Sequence, residues 1–138
     1  MPEANDWNAK IIDEFRSNEG RLGGQFEGAP MLLLTTTGAK TDHQRVNPMM
    51  YLSKDSSIYV FASKAGAPTN PDWYHNLVAN PQVTVEIGTE TFDATARVLS
   101  GEDRDKVYSD QVKLYPGFGE YQEKTTRVIP VVALDRIS

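Results

Sequence analysis

The chain has 138 residues, 39% of them hydrophobic and 24% charged, which is ordinary usage for one globular domain and excludes a disordered or fibrous class. It contains no cysteine, so disulfides, thiolate metal sites and a cysteine nucleophile are excluded. The net charge of −5 argues against nucleic acid as the main partner, because phosphate-backbone binding draws on a broad basic surface.

The first residues predict a helix of roughly four turns, capped by Asn5 or Asp6, in which Trp7, Ile11 and Phe15 recur at helical spacing and Ile12 widens the stripe. Its polar face is acidic, so packing over a barrel or a pocket mouth is favoured and lipid contact is at most weak. Residues 1–20 lack the basic start and apolar middle of a signal peptide, and no apolar run reaches the length of a membrane span. The expected location is the cytoplasm, peripheral to the membrane at most. Gly20 to Pro30 holds four glycines and reads as a loop.

Met31 to Tyr51 is the centre of the pattern. An apolar run enters a polar loop containing Gly38, Lys40, Asp42, His43 and Arg45 and leaves through a second apolar run, which predicts two antiparallel strands. A turn at Lys54-Asp55-Ser56 leads to a third strand from Ser57 to Ala62, broken by Ser63-Lys64-Ala65-Gly66-Ala67-Pro68. Pro71 to Ala79 predicts a short helix with Asn70 as N-cap, ended by Asn80-Pro81. Val83 to Ile87 and Thr91 to Val98 alternate around Gly88-Thr89-Glu90 as a hairpin, and Glu102 to Leu114 predicts a polar helix with Val107 and Leu114 inward. Tyr115 to Gln122 reads as an aromatic loop, and Ile129 to Leu134 as a last strand, where Pro130 requires an edge or a strand start. The fold class is β-rich α+β, an antiparallel sheet that closes into a small barrel with helices outside. An N-terminal helix occupies residues 1–20 and the barrel 21–138, as one domain overall.

Between Gly28 and Pro71 four cations, Lys40, Arg45, Lys54 and Lys64, face two acids, Asp42 and Asp55, a net of +2 in an acidic chain. Lys40 and Arg45, in a loop expected to leave backbone N–H groups unpaired, suit a compact anion such as phosphate; a solvated hairpin end with ordinary surface charges is the alternative. The Ser63 to Pro68 break, with Lys64, is a second possible anion cradle. Catalytic constellations built on serine, zinc or histidine are missing, and with His43 and His75 as the only histidines a metal site is not expected. Any redox or transfer chemistry then belongs to a bound cofactor that the protein places. From the residues alone, the reading ends at a cofactor-binding β-barrel.

The sequence also resembles the deazaflavin-dependent nitroreductase family, which uses coenzyme F420 and includes quinone and nitroimidazole reductases. The matching blocks are Gly23-Gly24-Gln25-Phe26, Leu33 to Gly38 with Lys40-Thr41, Arg45-Val46-Asn47-Pro48, Ala62-Ser63-Lys64, Pro71 with Trp73 to Leu77 and Ala79-Asn80-Pro81, Tyr115-Pro116 with Tyr121-Gln122, and Arg127-Val128-Ile129-Pro130. The resemblance implies a split β-barrel akin to that of FMN-binding oxidases, and hydride transfer from the reduced deazaflavin to a quinone or nitroaromatic acceptor. It implies that Lys40, Thr41 and Arg45 hold the phosphate and anionic tail, with Ala39 and Val46 also among the cofactor-binding residues. Asn47, Pro48, Ala62, Ser63, Lys64, Ala65, Asp72, Trp73, Tyr74, His75, Asn76 and Phe118 would then flank the ring system. Tyr121, Ser63 and Tyr115 would border the reacting side, where Tyr121 and Ser63 donate hydrogen bonds to the acceptor oxygen. Two departures from the family pattern bear on this. Ala39 and Asp42 stand where a basic residue and a glycine are frequent, and Phe118 replaces a tyrosine, which removes one O–H donor. An FMN enzyme on the same barrel and a non-catalytic deazaflavin carrier are the alternatives; oligomeric state is not legible.

Overall fold

A computed structural model describes residues 6–23, 30–40, 43–54, 57–63, 66 and 69–137, with the backbone alone at 6–8. In chain order its elements are α1 (Asp6–Ser17), β1 (Met31–Thr37), β2 (Gln44–Lys54), β3 (Ser57–Phe61), α2 (Asp72–Ala79), β4 (Gln82–Ile87), β5 (Glu90–Val98), α3 (Gly101–Leu114), α4 (Gly117–Glu123) and β6 (Val131–Arg136). The expectations for Asn5, the Trp7 side chain, Gly24-Gln25-Phe26, Thr41, Asp42, Asp55, Ser56, Lys64, Ala65, Ala67 and Pro68 lie outside the described residues.

The six strands form a closed antiparallel barrel in the order β1-β2-β3-β6-β5-β4, with β1 pairing to β4 to complete the ring. Alternation along each strand divides inside from outside. Leu32, Leu34, Val60, Val85, Val132 and Leu134 fill the barrel, while Met31 and Leu33 face outward beneath Phe15 and Leu22. This is why Met31-Leu32-Leu33-Leu34 is a continuous apolar run: β1 has the barrel core on one face and α1 on the other, so neither face can be polar. On another wall, α3 and α4 cover Leu52, Phe61 and Val131 with Val107, Tyr108, Phe118 and Tyr121. α2 closes one end, sending Trp73 and Leu77 into the barrel core.

Register shows what shares that end. β1 leaves at Thr37, which pairs with Gln44 at the start of β2. β3, antiparallel to β2, leaves at Phe61, and β4 enters next to the end of β1. Gly38 to Lys40 after β1, the segment after Phe61 and α2 are therefore neighbours at one mouth of the barrel.

Several local expectations are corrected. Leu114 is exposed; the inward positions of α3 are Val107, Tyr108 and Gln111, because Leu114 falls in the last turn. The aromatic segment is helical over Gly117–Glu123, although Gly117 and Gly119 give it poor helix propensity, since packing on Phe61 outweighs a cost of about 1 kcal/mol per glycine. Pro71, not Asn70, occupies the N-cap of α2, and no side chain caps it. For Pro130, by contrast, one of the two expected places holds: it directly precedes the start of β6, which lies between β3 and β5 and is not an edge. Ala62 lies just past β3, with its N–H donated to the Pro130 carbonyl at 3.0 Å.

No helix among the described residues is long and apolar enough to cross a membrane. Ile11, Ile12 and Phe15 of α1 pack against Val46, Met50 and Leu33 on the barrel wall. That use of its apolar stripe leaves weak membrane contact through this helix without support.

Candidate functional site

A cavity of about 540 Å³ opens at the mouth closed by α2, lined by Gly38, Ala39, Lys40, Arg45, Asp72, His75 and Asn76. Two local causes bring these residues together. Arg45 pairs with Thr36 across the β1–β2 ladder. This places it on the side of β2 that looks toward the mouth, whereas its neighbour Val46 points outward against α1. The loop itself is held by α2. The Asn76 side-chain oxygen accepts the Ala39 N–H at 3.0 Å, its amide donates to the Thr36 hydroxyl at 3.3 Å, and the Asn80 amide donates to the Thr37 carbonyl at 3.3 Å.

These bonds correct one expectation. The loop does not present the Gly38 and Ala39 amides to a ligand, because Gly38 N–H is donated to the His43 carbonyl at 2.7 Å and Ala39 N–H to Asn76. Among the described residues, the cations that line the cavity are Lys40 and Arg45. The N-terminus of α2 adds to them, since its first turn has no side-chain cap and carries the positive end of the helix dipole. Asp72 stands in that first turn, where the same dipole favours an acid, so its presence beside two cations has a local helical cause. His75 is exposed at the cavity edge, with its ring 5.7 Å from that of Tyr74 in an edge-to-face arrangement.

A second group lies beside the first, after β3. The Ser63 carbonyl accepts the Gly66 N–H at 2.9 Å, closing a turn. Gly66 has φ +80, and a Cβ there would stand 2.8 Å from the Tyr121 carbonyl of α4, so both conformation and space demand glycine. The turn is thus pressed on the helix that carries Tyr121. The Phe118 ring packs edge-on against Phe61 at 5.6 Å and Tyr121 at 5.4 Å. The Tyr108 hydroxyl fixes this helix by donating to the Phe118 carbonyl at 2.6 Å. Burial pushes the Tyr108 phenol up, opposed by the nearby charges of Arg104 and Arg127.

The structure thus gathers Ala39, Lys40, Arg45, Asp72, His75 and Asn76 in one cavity, with Ser63, Phe118 and Tyr121 grouped around the adjoining turn. Val46 and Trp73 turn away, the first to α1 and the second into the barrel core; Ala62 also belongs to that core. Asn47 pairs with Leu34 and Pro48 with Leu33 on β2, and Tyr74 packs against the barrel core. Tyr115 is the C-cap of α3. Of the residues that hold the site, Asn80, Gln122 and Arg127 enter the sequence reading only as parts of matching blocks or as element ends, with no role in the site attached, and Arg104 is not named in it. The spacing Asn76-x-x-x-Asn80, which puts two amides on one helical face, was a usable signal.

A family model described as F420H(2)-dependent quinone reductase matches residues 7–136 of the chain. An F420H(2)-dependent quinone reductase of Mycobacterium tuberculosis (strain ATCC 25618 / H37Rv) is 40% identical over 126 residues, which cover 88% of this chain and 85% of that protein. A solved structure described as an F420-H2 dependent reductase is 43% identical, with a TM-score of 0.71, and covers 77% of this chain and 94% of its own. Another, described as a domain-swapped dimer, is 38% identical with a TM-score of 0.73 over 92% of this chain and 93% of its own.

Proposed function

The chain belongs to the F420H(2)-dependent quinone reductase family, and from that premise we propose which of its residues bind the deazaflavin and which face the quinone. It is an F420-dependent reductase, and the FMN enzyme and the carrier are not favoured. When bound, the reduced deazaflavin supplies a hydride from its C5 position.

Lys40 and Arg45 hold the phosphate and anionic tail, assisted by the uncapped start of α2. The observation that carries this reading is the cavity itself: Lys40, on a loop pinned by Asn76 and Asn80, and Arg45, on β2, converge where α2 begins without a side-chain cap. The donor set fits a phosphodiester with an acidic tail, because among the described lining residues two cations, Lys40 and Arg45, stand against one acid, Asp72. Asn76 acts here by fixing the loop and not by direct contact, since both ends of its amide are engaged.

The ring system lies toward the Ser63 turn. There the Ser63 N–H, which has no acceptor among the described residues, points a donor at the ring edge. Tyr121, on the helix against which that turn is pressed, donates its hydroxyl to the quinone oxygen that gains negative charge as the hydride arrives. The protein's remaining contribution is proximity: closing the ring and acceptor into one mouth lowers the entropic part of the barrier.

Fluorescence titration of the full chain with coenzyme F420 and with FMN, followed by anaerobic mixing of the reduced deazaflavin with a short-chain quinone, tests this reading. The expected result is tighter binding of F420 than of FMN and rapid quinone-dependent oxidation. Preference for FMN, or binding without turnover, would overturn it.

A further inference from the structure

Arg127 is placed beneath the Ser63 turn. Its Nη1 donates to the Ala62 carbonyl at 3.1 Å and to the Asn70 side-chain oxygen at 2.7 Å, and its Nη2 donates to the Ser63 carbonyl at 2.8 Å. One planar fork thus spans two successive carbonyls and the residue before the α2 cap, a geometry that an ammonium cannot reproduce. The described residues contain no cis peptide bond. In the trans unit joining Ala62 to Ser63, the carbonyl and the N–H point in opposite directions. Turning the Ala62 carbonyl toward Arg127 therefore turns the Ser63 N–H away from it, to the side where it meets no acceptor among the described residues. The other side of Ala62 is fixed as well, because its own N–H is donated to Pro130. A positive charge on the carbonyl also polarises that peptide unit and strengthens its N–H as a donor.

Arg127 is itself braced. Its backbone carbonyl accepts the Gln122 amide at 2.7 Å, while the Gln122 side-chain oxygen accepts Arg104 Nη2 at 2.6 Å and the Ile129 N–H at 3.0 Å. Arg104 Nε donates to the Ile129 carbonyl at 3.0 Å. These bonds connect α3 and α4 to the segment before β6, and through the guanidinium to the turn.

We propose that Arg127 is a positioning residue for the reaction: it sets the Ser63 N–H as a donor to the deazaflavin ring, with Gln122 and Arg104 holding it in place. The inference rests on the reading that the ring lies toward this turn. A donor on the ring oxygens stabilises the anion formed when the ring's 8-hydroxyl ionises, since that charge is delocalised onto the ring carbonyls. Binding should accordingly lower the ring's ionisation pKa, and Arg127 should control how far.

The test compares the full-length parent, Arg127→Lys and Asn70→Ala. Each is titrated with oxidised coenzyme F420 at two salt concentrations, and each saturated complex is then titrated with pH by absorbance. Arg127→Lys should bind roughly tenfold more weakly and lose most of the downward shift in ring ionisation. Its salt dependence should match the parent's, because Lys40 and Arg45 are untouched. Asn70→Ala, which releases one acceptor shared by Nη1, should move both quantities in the same direction by roughly threefold. A merely structural role predicts a lower melting temperature with parental affinity and parental ring ionisation, and that result would overturn the proposal. Should Arg127→Lys fail to fold, unchanged ring ionisation in folded Asn70→Ala overturns it equally. If the parent does not bind the deazaflavin, the underlying reading of the site fails; if the parent binds and only the variants are indistinguishable from it, the positioning role alone fails.

Discussion

The side-chain oxygen of Asn76 accepts the backbone N–H of Ala39 at 3.0 Å, from a position 8% exposed on α2. This bond ties the helix that closes the barrel to the loop that carries Lys40. Asn76→Leu keeps the bulk and removes both hydrogen bonds, leaving the Ala39 N–H and the Thr36 hydroxyl without that partner; the expected cost is about 1–3 kcal/mol of stability. Cofactor affinity should fall by roughly tenfold, because the cations lose their fixed spacing. Thermal melting and deazaflavin titration check the two effects separately. A lower melting temperature with parental affinity would make the bond purely structural.

Tyr121 is expected to act on turnover. Tyr121→Phe keeps the ring that packs 5.4 Å from Phe118 and deletes only the hydroxyl, so the melting temperature should hold. The turnover number with a quinone should drop by an amount worth about 1–3 kcal/mol, the usual range for a donor used mainly in the transition state. Steady-state kinetics with unchanged turnover would make the hydroxyl idle.

α1 is expected to be an integral part of the barrel wall. Phe15 is 1% exposed among Leu22, Met31 and Leu33, and Arg16 pairs with Glu86 of β4 through two hydrogen bonds. Phe15→Ala should cost about 3–5 kcal/mol in denaturant unfolding, as for other buried aromatics. A loss under about 1 kcal/mol would mean that the helix is only loosely attached.

The Lys54–Asp110 pair gives a pH-dependent test. A hydrogen bond from Lys54 holds the Asp110 carboxyl below its usual range. A depressed folded pKa contributes stability above the unfolded pKa and loses it as pH falls through the folded value. Lys54→Met should therefore melt slightly below the parent at neutral pH, with the difference closing in acid. A difference that persists or grows in acid would contradict the pairing.

Much of this architecture is legible in the chain because burial imposes periodicity. β1 follows from its continuous apolar run, the strands β2 to β5 and the closing helix α2 from apolar patterning, turns and Pro71, and the cations Lys40 and Arg45 stand out against an acidic background. Support for the site is harder to read. Asn76, Asn80 and Arg127 hold backbone groups of residues distant in sequence, and single-residue chemistry does not reveal a distant backbone partner. The aromatic segment is misread as a loop because its glycines lower helix propensity, while the contact that makes it helical, Phe118 on Phe61, lies across the fold. Leu114 is misplaced for a related reason: hydrophobicity alone does not locate where a helix overruns the wall it covers.

Under the proposed function, Lys40 and Arg45 bind the anionic part of the cofactor and do not take part in hydride transfer. The most direct measurement is a fluorescence titration of the parent, Lys40→Ala and Arg45→Ala with coenzyme F420 at low and at physiological salt. Arg45→Ala should weaken binding roughly ten- to a hundredfold, as expected for loss of a charge-assisted hydrogen bond of about 1.5–3 kcal/mol. Lys40→Ala should behave likewise, since its neighbour Ala39 carries no charge that can substitute. Both variants should show a shallower salt dependence than the parent, and turnover at saturating cofactor should barely change. Parental affinity in both variants would contradict the assignment of this cavity to the cofactor's anionic tail.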